Sequence, residues 1–529
     1  MAQLIRAKSG MVVAPHYLAA QAGCSVLQDG GNAIEAMIAA SAAIMVAYPH
    51  MNALGGDNFW LISKGGKPPV GIDACGPAAG LASADYYKSA GHDAIPSRGP
   101  LAALTVAGAV SGWEEALKVS AQWGGKLPLS RLLEGAMVMA RQGVSVPNTL
   151  HLNATSKRDE LEDVPGFADQ FLPGGVPVAE GTQFKQPRVA ATMERLSQAG
   201  LDDFYRGEVA RSMAGELEAA GSPLRLDDLE AFHARRVEPL SVALNEARVF
   251  NMPPPTQGLA SLMILGIFER LGVKSTDDFD YVHALVESTK QAFLVRDAHV
   301  GDPDYMSVDP KQFLEPGALD KRANAIDRAR ALPWPHEAKP GDTVWLGAID
   351  EQGNAVSFIQ SIYWEFGSGV VLPQTGVLWQ NRGTSFSLDE GAVNALKPGR
   401  RPFHTIQPAL ALFGDGRVMP YGTMGGEGQP QTQAMVYTRY AHAGQDLAQA
   451  IDAPRWLLGR TWGAESTNLR VESRIGEDVV EALQAAGHDV EVMGPYDEVT
   501  GHAGALVRHP DGSIEGASDP RCDGAAIGC

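Results

Sequence analysis

The stretch Asp342-Thr343-Val344-Trp345-Leu346-Gly347-Ala348-Ile349-Asp350-Glu351-Gln352-Gly353-Asn354-Ala355-Val356-Ser357 decides the fold. It reads as a hairpin of two strands, Thr343 to Ile349 and Ala355 to Ile362, joined at Asp350-Glu351-Gln352-Gly353. Just before it, Ala331 to Gly341 (ALPWPHEAKPG) carries prolines and a glycine that predict an exposed, irregular linker. A threonine that opens a strand is structural in most proteins. At a junction between linker and strand it has a second use. A threonine hydroxyl is a weak nucleophile until a base takes its proton, and its own α-amine is such a base once the residue is chain-terminal. An amine with a reference pKa of about 7.7–8.0 is partly neutral near pH 7. This chemistry requires cleavage between Asp342 and Thr343. The Thr343 hydroxyl would attack the Asp342 carbonyl, and water would release the resulting ester.

Outward from this hairpin the chain changes character. The front is helix-rich. His16 to Asp29 carries a helical pattern that stops at Gly30-Gly31, and Asn32 caps an apolar, Ala-rich helix through Tyr48. Asn58 to Ser63 and Val70 to Ile72 read as strands around Gly65-Gly66. Leu101 to Ala140, Thr192 to Ala220 and Asp280 to Asp297 read as helical. The back is strand-rich, with hairpin signals at Gly414-Asp415-Gly416 and Pro510-Asp511-Gly512, and helices near Pro430 to Ala443 and Gly476 to Ala486. Segregated helices and strands predict layered α+β structure, not alternating βαβ units.

Composition narrows the function. The formal net charge of −19 opposes a phosphate backbone, so no nucleic-acid partner is expected. The apolar run near Ala36 to Tyr48 is shorter than the roughly 20 residues of a membrane span. The start of the chain lacks the apolar core of a secretion signal. Cys24, Cys75, Cys522 and Cys529 are scattered, with no C-x-x-C pair, so neither a disulfide framework nor a zinc site is expected. A reducing, cytoplasmic setting fits that usage. No phosphate loop, dinucleotide fingerprint, nucleophile elbow or H-E-x-x-H is present, so no cofactor and no metal is expected.

The hairpin from Thr343, with Phe366-Gly-Ser-Gly-Val-Val behind it, resembles the start of the small subunit in the γ-glutamyltransferase family. So do Arg401-Pro-Phe-His-Thr-Ile-Gln-Pro, Gly422-Thr-Met-Gly-Gly and Asp519-Pro-Arg. Gly10-Met-Val-Val-Ala-Pro-His, Gly30-Gly-Asn-Ala and Pro49 to Phe59 resemble its large-subunit opening. The likeness runs in order along nearly the whole chain. It implies a four-layer αββα sandwich of the N-terminal-nucleophile hydrolases. It also implies autocleavage into a large subunit, 1–342, and a small subunit, 343–529, which stay together as one compact domain; whether these heterodimers pair into a dimer stays open. Thr343 falls on the family's nucleophile, Gly425 and Gly426 on its oxyanion loop, and Ser361 on a hydroxyl that supports the nucleophile.

The substrate pocket departs from that family. Its carboxylate-binding arginine is replaced within Asp73-Ala-Cys-Gly-Pro-Ala. The acids that hold a glutamyl amine are replaced by Thr384 and Ser385 in Gln380-Asn-Arg-Gly-Thr-Ser-Phe. An arginine, Arg382, enters that run; His404-Thr405 replaces a Ser-Ser pair, and Tyr363 replaces an Asn. An ammonium buried without a partner is costly, so an α-amino substrate is disfavoured. A guanidinium holds a carboxylate through two N–H groups, so Arg382 is the expected acid-binding residue, with His404, Thr405 and Tyr363 around it and Arg98 a second candidate. Bulky Tyr363, Trp364 and His404 narrow the pocket, and Cys75 reads as a packed thiol. The expected substrate is a small anionic amide. Within the family this pattern resembles the branch that hydrolyses oxamate to oxalate and ammonia in purine breakdown. Two alternatives stay open: a γ-glutamyl or glutaryl amide hydrolase or transferase, and an unprocessed, non-catalytic binding protein.

Overall fold

A computed structural model describes residues 1–334, 342–459 and 467–529. Of the expected linker, residues 335–341 lie outside the described residues. The hairpin forms as Asp342–Asp350 and Ala355–Tyr363, paired antiparallel. Its turn closes through Gly353, in the left-handed region at φ 79°, and through the Asp350 carboxylate, which accepts the Asn354 N–H at 2.9 Å. The other carboxylate oxygen of Asp350 accepts the N–H of Ala33 at the start of a buried helix, where the helix dipole favours negative charge.

The hairpin is the centre of a seven-stranded sheet. Edge to edge the strands are Ala525–Gly528, Gly10–Ala14, Asp342–Asp350, Ala355–Tyr363, Asp57–Ser63, Val70–Ala74 and Arg235–Val237. A second seven-stranded sheet runs Ile5–Ala7, Ile514–Ser518, Ala503–Arg508, Val418–Thr423, Ala409–Phe413, Ala247–Asn251 and Leu240–Ala243. The two-residue period of a strand sorts the side chains. Trp345 and Ile349 enter a core between the sheets with Met11, Phe59, Leu410 and Leu506. Val344, Leu346 and Ala348 enter a second core under the N-terminal helices. A third core joins the other face of the second sheet to the helices Gly258–Leu271, Phe279–His299 and Gln429–Tyr437. Helix, sheet, sheet, helix: the layers are those of the expected αββα sandwich.

The Ala-rich helix spans Ala33–Ala47, and every residue in it is buried. Asn32 caps it with its side chain on the N–H groups of Ile34 and Glu35, while Glu35 returns to the Asn32 N–H, a reciprocal capping box. Such a helix, apolar all round, can only sit inside. Three expectations need correction. Leu101 to Gly108 is not helical beyond a single turn at Pro100–Ala102; helices follow at Ala109–Gln122 and Leu129–Gln142. Its backbone is committed elsewhere, with Val106 N–H on the Pro77 carbonyl and Gly108 N–H on the Gly56 carbonyl. The Thr192 to Ala220 region is three helices, Pro187–Ala199, Asp203–Arg206 and Glu208–Ala220. Cys24 and Cys529, 505 residues apart, form a disulfide. Strand Ala525–Gly528 pairs with Gly10–Ala14, and that pairing brings the chain end to the helix Tyr17–Gln28. Such long-range proximity has no signature in cysteine spacing.

Candidate active site

Four strands of the central sheet end at one edge. Asp342 stands opposite Tyr363, Ser361 opposite Asp57, and Asn58 opposite Ala74. The register shifts between Asp342 and Val344, so Thr343 sits in a local irregularity of the ladder. Thr343 is fully buried, and its Oγ1 accepts the side-chain N–H of Gln429 at 3.3 Å. Gln429 starts the helix that follows Gly425 and Gly426 on the other half of the sandwich. Gly425 and Gly426 both lie in the left-handed region, at φ 117° and 49°. Only glycine takes that path without strain, and such turns form anion-binding concavities of backbone N–H groups. The loop is braced from outside. Gln257 donates to the Gly426 and Thr405 carbonyls, both at 2.7 Å. Arg296 holds Gln257 at 3.0 Å and Glu427 at 2.8 Å.

Ser361 Oγ accepts the N–H of Tyr363 at 2.8 Å. Tyr363 has φ 83°, a conformation that a bulky residue rarely adopts. Strain of this kind persists where the surroundings over-determine it, and such places cluster at functional sites. The ring of Tyr363 lies under Arg382, whose guanidinium carbon is 3.6 Å from the ring centroid. Arg382 is fully buried; its Nη1 donates to Thr405 Oγ1 at 3.2 Å, while its Nε and Nη2 have no partner among the described residues. Burial lowers its pKa to about 10, so it is a cation at neutral pH.

His404 is also fully buried. Its Nε2 lies 3.1 Å from Asp57 Oδ2, and its Nδ1 has no partner among the described residues. Burial and the neighbouring Arg382 charge hold His404 well below the usual histidine range, so the ring is neutral. Asp57 Oδ1 accepts from Gly76 N–H, Gly108 N–H and Gln380 Nε2 at 3.2, 3.0 and 3.1 Å. Burial pushes the Asp57 carboxyl up to about 7, against the pull of Gln380 and Arg382. Cys75 is buried beside them, with its thiol pushed up by desolvation.

The structure therefore brings Thr343, Ser361, Tyr363, Arg382, His404 and Thr405 to one end of the sandwich, with Gly425 and Gly426 facing them across Gln429. Arg98 is elsewhere in purpose. It donates to the Glu365 and Gly367 carbonyls at 2.6 and 2.7 Å and braces that turn. Asp57, Gln380, Gln429 and Gln257 carry no sequence signal of their own, although Gly55-Gly56 before Asp57 is a visible close-approach signature. A Cβ on Gly56 would meet the Ser361 carbonyl at 2.3 Å. Among the described residues, donor atoms of Asp57, Cys75 and His404, and of His283, Glu287 and His488, lie within 4.8 Å of one another. The first group faces the Arg382 cation, and in the second Glu287 is paired with Lys290 at 2.7 Å. Both cations oppose a metal ion.

The comparisons with known proteins fit this geometry. The chain belongs to the gamma-glutamyltranspeptidase family, whose model matches residues 19–529. It is 52% identical to the oxamate amidohydrolase proenzyme of Klebsiella pneumoniae, over 98% of each chain. It is 40% identical to a glutathione hydrolase-like proenzyme of Bacillus subtilis, again over 98% of each. Among solved structures, the cephalosporin acylase from Bacillus halodurans superposes with a TM-score of 0.91 at 34% identity, covering 100% of this chain and 97% of that one. No helix of the described residues is long and apolar enough to cross a membrane.

Proposed function

We propose that this chain is a proenzyme that cuts itself between Asp342 and Thr343 and then hydrolyses a small acid amide, oxamate, to oxalate and ammonia. The subunits would be 1–342 and 343–529, roughly 36 and 20 kDa by residue share of 56.1 kDa. The observation that carries the substrate is Arg382. A buried guanidinium with two unpartnered N–H groups, stacked on the residue opposite Asp342, is a ready site for a carboxylate close to the nucleophile. The name of the Klebsiella relative supports the same substrate. No acidic group occupies the places where a glutamyl amine is held, which disfavours the γ-glutamyl reading.

In the mature enzyme the α-amine of Thr343 takes the Oγ1 proton, and Oγ1 attacks the amide carbonyl. The N–H groups of Gly425 and Gly426 hold the oxyanion, and Gln429 orients Oγ1. Ser361 fixes the backbone turn at Tyr363 and with it the shelf under Arg382. The C–N bond breaks, ammonia leaves with the proton from the amine, and water then hydrolyses the Thr343 ester. The two subunits form the functional heterodimer. The compartment we propose is the cytoplasm.

Intact-mass spectrometry after incubation at neutral pH tests the maturation, beside a Thr343→Ala variant. Two fragments, the smaller beginning at Thr343, are expected from the parent chain and none from the variant. A parent chain that stays whole removes the amine base and leaves a binding protein. Ammonia release from oxamate, against release from a γ-glutamyl anilide, separates the two amidase readings.

A further inference from the structure

Arg382 offers two buried donors, Nε and Nη2, and His404 offers a buried nitrogen, Nδ1; none has a partner among the described residues. A buried polar group left unmet costs about 1–3 kcal/mol, so this cluster is built for a ligand. The character of Nδ1 depends on the other ring nitrogen. His404 Nε2 faces Asp57 Oδ2 at 3.1 Å, and Asp57 is itself fixed, because Oδ1 already accepts from Gly76, Gly108 and Gln380. Once Asp57 is ionised, above about pH 7, its carboxylate can only accept, so Nε2 carries the hydrogen and Nδ1 presents a lone pair.

The site thus combines two donors for an anion with one acceptor for an N–H. An acid amide supplies both complements, a carboxylate for Arg382 and an amide N–H for His404. An acid ester of the same shape supplies only the first. We propose that Asp57 is a positioning residue that locks His404 as a hydrogen-bond acceptor and so makes the site select amides over the matching esters. This rests on the acid-amide reading above.

The test uses N-ethyloxamate and monoethyl oxalate, which differ only in N–H against O at the bond to be cut, with oxamate alongside. The mature parent enzyme and an Asp57→Asn variant are compared at about pH 8, where Asp57 is ionised. Asparagine keeps an oxygen for the Gly76, Gly108 and Gln380 donors but turns an N–H toward His404 Nε2, which moves the ring hydrogen to Nδ1. The ratio of kcat/KM for amide over ester is expected to fall about tenfold or more, the cost of one lost hydrogen bond and one mismatched pair. Intrinsic ester reactivity cancels in that comparison, and a general folding defect would lower both substrates together. His404→Phe, which keeps a ring but offers no acceptor, should also lose the amide preference. An unchanged ratio in Asp57→Asn overturns the proposal. A parent enzyme that leaves oxamate untouched overturns the acid-amide reading instead. Melting curves and fragment masses of both variants identify any that fail to fold or mature, and for those a competition assay of oxamate against monoethyl oxalate as inhibitors, on the parent enzyme above and below pH 7, reads the same selectivity.

Discussion

Replacing Arg382 by methionine removes the charge from the site and keeps a long apolar stem. Two consequences follow, and they point in opposite directions. The substrate carboxylate loses both N–H groups that face it. An anion left in a buried site without its partner costs about 3–5 kcal/mol, or roughly a 10²- to 10⁴-fold fall in kcat/KM. The carboxylate is held in ground state and transition state alike, so most of the loss falls on KM. The folded protein meanwhile loses a guanidinium that is fully buried, with Nε and Nη2 unpartnered. Each unmet N–H costs about 1–3 kcal/mol. Against that relief stand the bond to Thr405, about 1 kcal/mol, and the stack on Tyr363, about 1–2 kcal/mol. Stability is therefore expected to hold or to rise. The assay is oxamate turnover, normalised to cleaved protein by mass spectrometry, beside a thermal melt. A variant that keeps its KM refutes Arg382 as the acid-binding group. A variant that melts well below the parent refutes the claim that the free enzyme holds this cation at a cost.

Two other predictions use the same geometry. Asp57 titrates at about 7, and its protonated form would donate to His404 Nε2 and move the ring hydrogen to Nδ1; His404 itself stays neutral, because its pKa is held well below the usual range. The amide-to-ester ratio should therefore fall as pH drops from about 8 to 6, with Arg382, Cys75 and Gln380 facing the carboxyl throughout; a flat ratio removes Asp57 from that role, while the Thr343 amine, common to both substrates, cancels. The Cys24–Cys529 disulfide joins residues on opposite sides of the Asp342–Thr343 bond, so oxidised, cleaved protein should run as one band without reductant and as two with it; Cys529→Ser should give two bands in either case, and cells lysed directly into an alkylating agent report which state the native compartment maintains.

Much of the scaffold is legible in residues, because local physics sets it. Asn32 announces a helix start, Asp350 to Gly353 announces a turn, and the unbroken apolar run of Val344 to Ile349 fits a strand with two buried faces. The chemistry is less legible. Thr343 and Arg382 emerge only against a family pattern, since each alone reads as an ordinary strand or loop residue. Asp57 does not emerge at all. It meets His404 across 347 residues, and its other partners are two backbone N–H groups and the distant Gln380 side chain, which a sequence does not advertise. The same cause explains the failed helix before Gly108. That segment has helical composition, but Gly108 N–H is taken by Asp57 and the Val106 carbonyl by Gln380. A chain that lines a polar site gives its backbone groups to the site and not to its own helix.

The strand order also fixes what a cut at Asp342–Thr343 can do. In the central sheet, Ala525–Gly528 and the hairpin come from the C-terminal piece, while Gly10–Ala14, Asp57–Ser63 and its two outer neighbours come from the N-terminal piece. The second sheet is mixed in the same way, with Ile5–Ala7 at one edge and Ala247–Asn251 and Leu240–Ala243 at the other. Separating the pieces would expose the core between the sheets and unpair strands in both, so a cut there would free an amine without freeing a subunit. The site is divided along the same line. Asp57, Gln257 and Arg296 precede the cut; Thr343, Arg382, His404 and Gln429 follow it. Each half holds the other's polar groups, so neither piece carries a complete site. A cut at Asp342–Thr343 would therefore release the Thr343 amine only within a scaffold that is already assembled, with folding before cleavage.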